Sequence, residues 1–342
     1  MKKIMTLLIA ALMMAAMLSA CANTSDSSNS NVQKSDNPDN KESEGSDDLD
    51  KISIVTTIFP EYDWVREILG DKAEHAELTM LLDSGVDLHS YQPTADDLIK
   101  IANCDMFIYV GGESDEWVED ALRQAENKNM AVINLFDVLG DSVKIEEAVE
   151  GMQEEEEAEG VQEEEKDEHV WLSLKNAQIF CREIAAKLSE IDTKNKDVYS
   201  ANADAYIEKL SGLDDGYQAV VSAADKKTLL FGDRFPFRYL VDDYGLDYFA
   251  AFVGCSAETE ASFETITFLA NKVDELGLSS VLTIDGAKHK IAETVVSNTS
   301  GKDQKVLAMD SLQSTTSDDA ENGATYLSVM EQNLKVLKEA LE

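Results

Sequence analysis

The chain has 342 residues, enough for two domains at about 100–200 residues each, and 44% of them are hydrophobic, enough for a core in both. Its 68 acidic against 29 basic residues leave a formal net charge of -39. A surface of that sign repels nucleic acid and anionic headgroups, so no nucleic-acid partner is expected; it is equally compatible with simple solubility and with attraction of a cation.

Residues 1–20 have the layout of a secretory signal peptide: Lys2 and Lys3, an apolar run over 4–18, and small residues before Cys21. The run is too short for a comfortable transmembrane helix. Leu18-Ser19-Ala20-Cys21 resembles a lipobox, where a bacterial lipoprotein is cleaved and acylated on its new N-terminal Cys. Acyl chains on Cys21 would anchor the protein at the outer face of the cell membrane. Residues 21–50 are rich in Ser, Asp, Asn, Lys and Glu and are expected to be a disordered tether.

Folded structure is expected from residue 51. Ile52, Ile54 and Val55 open a strand, and residues 62–69 read as a helix. A strand follows at 78–82, then a helix at 94–102 with Thr94 and Asp97 as a capping pair. Strand 106–110, helix 116–126 and strand 131–135 continue the alternation. Between Glu146 and Glu168 stand thirteen acidic residues and one Lys, which read as a flexible acidic loop or a frayed helix. Helices are expected at 172–188 and 195–223, the second long enough to link two lobes. Alternation resumes with strands at 228–231, 248–253, 280–284 and 305–309 and helices at 237–244, 263–275, 288–298 and 326–341. Strands alternating with helices predict an α/β chain with mainly parallel sheets in two lobes, joined by a long connecting helix. The expected organisation is a lobe at 51–170 carrying the acidic loop 146–168, a helical segment at 171–225, and a lobe at 226–342.

Four histidines, His75, His89, His169 and His289, are few enough to weigh singly. His89 and His289 follow predicted strands, and His169 follows the acidic loop. Loops at strand carboxyl ends border the crevice where open α/β sheets bind ligands, so these three can converge there. His75 lies in a polar stretch beside Glu74 and Glu77 and reads as a surface residue. Cys104, Cys181 and Cys255 show no C-x-x-C spacing and, being three, cannot all pair within the chain; at least one is expected to be a free thiol, read as a buried small apolar residue rather than as part of a zinc–thiolate site.

Longer motifs carry a resemblance. Val55-Thr56-Thr57-Ile58-Phe59-Pro60, Gly85-Val86-Asp87-Leu88-His89-Ser90-Tyr91-Gln92-Pro93-Thr94, Glu168-His169-Val170-Trp171-Leu172-Ser173 and Ala324-Thr325-Tyr326-Leu327 are together similar to the zinc/manganese class of ABC-transporter substrate-binding proteins. The resemblance implies a metal site in the cleft between the lobes, with His89 and His169 as ligands, and delivery of the metal to an ABC importer permease by a monomer. That family's third ligand falls in Gly232-Asp233-Arg234-Phe235-Pro236-Phe237, which has no His; Asp233 is the nearest ligand-capable residue, and Arg234 could instead pair with it. Its C-lobe carboxylate corresponds to Asp285-Gly286-Ala287-Lys288-His289, where His289 is favoured and Asp285 is the alternative. A shell of His89, His169, His289 and Asp233 suits zinc better than oxygen-preferring manganese, the other metal of the class. The acidic loop stands where zinc-binding members often carry a His-rich loop, and reads either as a solvated spacer or as a weak collector of cations. Two rivals stay open: a surface adhesin or structural lipoprotein, and a mononuclear zinc hydrolase. Against the hydrolase, the chain has no H-E-x-x-H, G-x-S-x-G or P-loop motif, so no enzyme is expected.

Overall fold

The first sheet comprises β1 (Ile52–Thr56), β2 (Ala76–Met80), β3 (Met106–Tyr109) and β4 (Ala131–Asn134). It comes from a computed structural model that describes residues 51–153, 165–256, 260–286 and 289–342. The expected signal peptide, Cys21, the tether and the middle of the acidic loop lie outside the described residues. Every pairing is parallel and the order is β2-β1-β3-β4. Met106, Phe107 and Ile108 of β3 are all fully buried, the continuous apolar run expected of a strand covered on both faces.

The covering helices are α1 (Phe59–Leu69), α2 (Ala95–Asn103), α3 (Trp117–Gln124) and α4 (Leu135–Leu139). α1 starts three residues earlier than expected because Pro60 suits a first helical turn and Glu61 folds back to accept from the amides of Thr57 (2.8 Å) and Ile58 (3.3 Å). The Thr94–Asp97 capping pair forms as read, with Asp97 N donating to Thr94 Oγ1 at 3.2 Å and Thr94 N to Asp97 Oδ2 at 2.9 Å. β4 stops one residue short of expectation because the Asn134 side chain accepts from the amides of Phe136 and Asp137, starting α4.

Two helices follow, α5 (Leu174–Ile191) and α6 (Lys196–Ala223). At 1.5 Å per residue α6 is ~42 Å long. The second lobe holds β5 (Thr228–Phe235), α7 (Arg238–Tyr244), β6 (Asp247–Val253), α8 (Phe263–Leu276), β7 (Ser280–Ile284), α9 (Lys290–Asn298), β8 (Lys305–Met309), α10 (Ser317–Glu321) and α11 (Tyr326–Leu341). Its sheet is also parallel, in the order β6-β5-β7-β8. β5 runs four residues beyond its expected end, through a register shift between Phe231 and Arg234.

α6 packs against α1 and α5 on one side and against α7 and α11 on the other. One continuous apolar cluster therefore takes in Ile54 and Phe107 of the first sheet and Leu229, Phe231 and Leu282 of the second. The lobes share a core, which makes α6 a stiff spine rather than a loose hinge.

The ends of the acidic run are more ordered than a spacer. Ile145 and Lys166 form an antiparallel bridge, flanked by Glu146 N to Glu165 O and Asp167 N to Lys144 O, both 2.9 Å. Beyond this clasp the leading limb lies on the second lobe: Tyr248 Oη donates to Glu147 O at 3.3 Å, and Gln153 N to Ala251 O at 2.9 Å. At the described ends of the run expected as a flexible acidic loop or a frayed helix, these backbone groups find partners.

Candidate metal centre

His89 sits in a single tight turn, Leu88–Ser90, in the long connection after β2. The turn is set by Asp87, whose carboxylate accepts from His89 N at 3.1 Å, and by Leu88, which is buried. His169 closes the clasp of the acidic run. Asp167 Oδ1 accepts from His169 N at 2.9 Å, and the turn Val170–Leu172 that follows is locked into the core. Trp171 Nε1 donates to Ser311 O at 2.9 Å, and Tyr326 Oη donates to Trp171 O at 2.7 Å. The motifs around His169 and Tyr326, far apart in sequence, thus meet in one buried contact.

The two imidazoles face each other with their Nε2 atoms 3.2 Å apart. Each ring is held from behind by a carboxylate. Glu168 Oε2 lies 3.2 Å from His89 Nδ1, beside Ser114 Oγ at 3.0 Å. Asp167 Oδ1 lies 3.1 Å from His169 Nδ1. A carboxylate at Nδ1 keeps the proton there and leaves the Nε2 lone pair free. With both protons on Nδ1 the two Nε2 lone pairs would face each other, an arrangement that a shared cation suits. Two adjacent acids, Asp167 and Glu168, thereby orient two different histidines from one segment.

Glycines admit this packing at two points. Gly112 has φ +93°, and a Cβ there would stand 2.4 Å from Glu168 Oε1. The turn wraps the carboxylate closely enough for Ser114 N to donate to it at 2.8 Å. Gly254, just past β6, lies against the buried imidazole: a Cβ would fall 3.0 Å from His169 Cε1 and 2.8 Å from Phe235 O.

Charge states follow from these contacts. Burial alone would raise Glu168, but hydrogen bonds from His89 and Ser114 outweigh it and hold the carboxyl below the usual range. Burial drives His169 below an ordinary histidine, against the pull of Asp167. His169 thus tends to the neutral form that binds metal. Asp87 is also held low despite its burial, by the Arg234 guanidinium and His89.

Cys255 completes the group. Its Sγ and one nitrogen from each of His89 and His169 lie within 4.8 Å of one another, the one such cluster of His, Cys, Asp and Glu among the described residues. The thiol was read from sequence as a small apolar residue; it is half-buried, two residues beyond β6, and its amide donates to Glu146 Oε1 at 2.9 Å. The signal that could have found it is its place just past a predicted strand of a parallel sheet, the same placement that singled out His289. Cys104 and Cys181 are free and buried.

Asp233 and His289 do not join that cluster. They meet at Thr283 on β7 instead: Thr283 Oγ1 donates to Asp233 Oδ2 at 2.6 Å and stands 3.2 Å from His289 Nδ1. Asp233 also accepts from the amides of Ile284 (3.3 Å) and Arg234 (3.0 Å). Asp285 accepts from Ser311 N at 2.6 Å and Ser311 Oγ at 2.9 Å, and from the Ser314 hydroxyl, which fixes the loop after β7. The Arg234 guanidinium pairs with Asp87 of the other lobe rather than with Asp233, because the strand puts neighbouring side chains on opposite faces. His75 is exposed, as expected, beside Glu74 at 3.6 Å.

Two parallel α/β lobes on a shared helical spine, with paired imidazoles between them, define a two-lobed binding protein of the periplasmic type. The chain belongs to the ZnuA family, described as zinc-uptake complex component A, periplasmic, which it matches over residues 54–340. It is 31% identical over 292 residues to the zinc-binding lipoprotein AdcA of Streptococcus pneumoniae, covering 85% of this chain and 56% of that protein. The chain thus spans little more than half the length of that relative. It is 30% identical over 304 residues to the high-affinity zinc uptake system protein ZnuA of Bacillus subtilis, covering 88% and 92%. Among solved structures, the Zn(II)-bound ZnuA-like domain of S. pneumoniae AdcA aligns with a TM-score of 0.66 at 30% identity, covering 85% of this chain and 99% of that one. The metal-dependent lipoprotein YcdH of B. subtilis aligns at 0.69 and 27% identity, covering 85% and 100%.

Proposed function

We propose that this protein captures zinc between its lobes, with His89 and His169 as ligands, and hands the ion to an ABC-type importer. The observation that carries the reading is the pair of Nε2 atoms 3.2 Å apart, each backed by a carboxylate on its own Nδ1. Membership in a zinc-uptake family and the names of its relatives support zinc as the cargo and an uptake system as its recipient. Imidazole suits zinc, whereas manganese favours oxygen, so zinc is preferred over manganese. The protein works outside the cytoplasm, held to the membrane by acyl chains on Cys21. It acts as a monomer and turns nothing over.

Elemental analysis of protein purified without chelator or affinity metal tests the cargo. One zinc per chain is expected, lost in His89→Ala and His169→Ala. Protein free of zinc that also takes up none from a stoichiometric addition would overturn the reading. A strain lacking the gene should fail to grow under zinc limitation and recover with added zinc; unimpaired growth would remove the transport role.

A further inference from the structure

We infer that Cys255 is a thiolate ligand of the same ion, so that the capture site joins two imidazole nitrogens and one sulfur rather than imidazoles and carboxylates. The inference rests on the proposed capture of zinc by His89 and His169 and adds the ligand that decides which metals fit.

Geometry supports the inference first. The Sγ of Cys255 and the two imidazole nitrogens lie within 4.8 Å of one another. Three donors at that mutual spacing can close on one tetrahedral ion, with bonds near ~2.3 Å to sulfur and ~2.0–2.1 Å to nitrogen, through side-chain adjustments alone. The second support is independent of the cysteine. His169 is fully buried, its Nδ1 is occupied by Asp167, and its Nε2 stands 3.2 Å from that of His89. The third is the backbone. Gly254 lets the turn after β6 come against the His169 ring, which brings residue 255 beside the histidines. The Glu146 carboxylate then pins the turn through the Cys255 amide at 2.9 Å.

The carboxylates that might have served instead are engaged. Asp233 is tied to Thr283 and Asp285 to Ser311. Arg234 places a fixed positive charge in the stretch where the third ligand was expected. A thiolate offsets that loss by bringing its own negative charge to the ion. As the metal–sulfur bond forms, the Sγ–H bond breaks and the proton leaves to solvent, so capture releases a proton. A cavity of about 510 Å³ borders the cluster, its lining including His89, Glu113, Glu116, Glu168 and Cys255, and would give an ion access. Sulfur also sets selectivity: thiolate favours zinc and copper(I) and disfavours manganese and magnesium.

Cobalt(II) substitution of the full chain reads the ligand directly. One equivalent of cobalt should produce an intense near-ultraviolet sulfur-to-cobalt charge-transfer band, absent in Cys255→Ser and retained in Cys104→Ser. Zinc affinity in Cys255→Ser should fall by more than the roughly 10–100-fold that loss of an outer-shell partner costs. Zinc should protect Cys255 of the wild-type chain from alkylation. If the wild type binds cobalt and zinc through His89 and His169 without the band, and Cys255→Ser keeps wild-type affinity, the thiolate assignment is wrong and zinc capture stands. If the wild type binds neither metal, both fall together. The spectrum and the alkylation test need no variant, so a misfolded Cys255→Ser leaves the outcome decidable.

Discussion

Glu168→Gln isolates the role of a carboxylate that never needs to touch the ion. The side chain is 3% exposed, receives Ser114 N at 2.8 Å and stands 3.2 Å from His89 Nδ1. Glutamine keeps the shape and an acceptor oxygen but removes the charge. With the ion on the far nitrogen of the ring, charge and ion are roughly 6 Å apart, where unit charges attract by about 3 kcal/mol at an effective dielectric of 20. The retained oxygen and cleft water reduce this, which agrees with the roughly 10–100-fold affinity loss typical when the partner of a metal-bound histidine is removed. That range is about 1.4–2.8 kcal/mol. Titration of the apoprotein with zinc against a competing chelator measures it. Glu113→Gln, an exposed carboxylate on the cavity rim, should change affinity far less. A thermal melt of each apoprotein separates lost binding from lost folding. Wild-type affinity in a folded Glu168→Gln, or equal losses in the two variants, would refute the claim that Glu168 works by orienting and polarising His89.

Three further outcomes are expected. Asp233→Ala and His289→Ala should each weaken zinc by less than about tenfold, while His89→Ala and His169→Ala abolish competitor-stable binding; the reverse ranking in the same titration would move the site to the Thr283 cluster. The Asp87–Arg234 pair joins the lobes with side chains only 22% and 19% exposed, so a double-mutant cycle on apoprotein stability should give a coupling of about 0.5–3 kcal/mol, and a smaller one would mean the pair adds nothing. Burial, with the nearby Asp115 charge, pushes Glu61 up to about 8, and burial pushes Asp63 up to about 6. A raised carboxyl pKa means that the folded state holds protons the unfolded state has released, so this contribution is full below about pH 4.5 and is lost as pH rises through about 8. The melting temperature of the apoprotein should therefore fall between pH 6 and 8, and Glu61→Gln should flatten that fall; an unchanged slope would count against a protonated Glu61.

Local chemistry decided much of this molecule. Alternating apolar periodicity marked the strands of both lobes and all helices but the five-residue α4 and α10, and Thr94 with Asp97 announced the N-cap of α2, because capping and periodicity act within a few positions of the chain. The boundaries that moved had local causes less visible in a pattern of apolar residues: Pro60 with Glu61 at the start of α1, and Asn134 ending β4. His89 and His169 were legible as candidates because scarce histidines stood in recognisable motifs.

The composition of the site belonged to the tertiary structure. His89 and His169 are 80 residues apart and meet where the clasp at Ile145 and Lys166 and the contact of Glu168 with Ser114 hold the second segment against the first. Cys255 joins them from the far sheet, where Gly254 lets the backbone close on the His169 ring. Asp233 carries the right donor atoms and still turns to Thr283, while its neighbour Arg234 reaches Asp87 across the cleft. Sequence specifies which donors exist and which loops carry them; which donors share an ion depends on contacts between segments far apart in the chain, set by packing within the first lobe for His89 and His169 and between the lobes for Cys255.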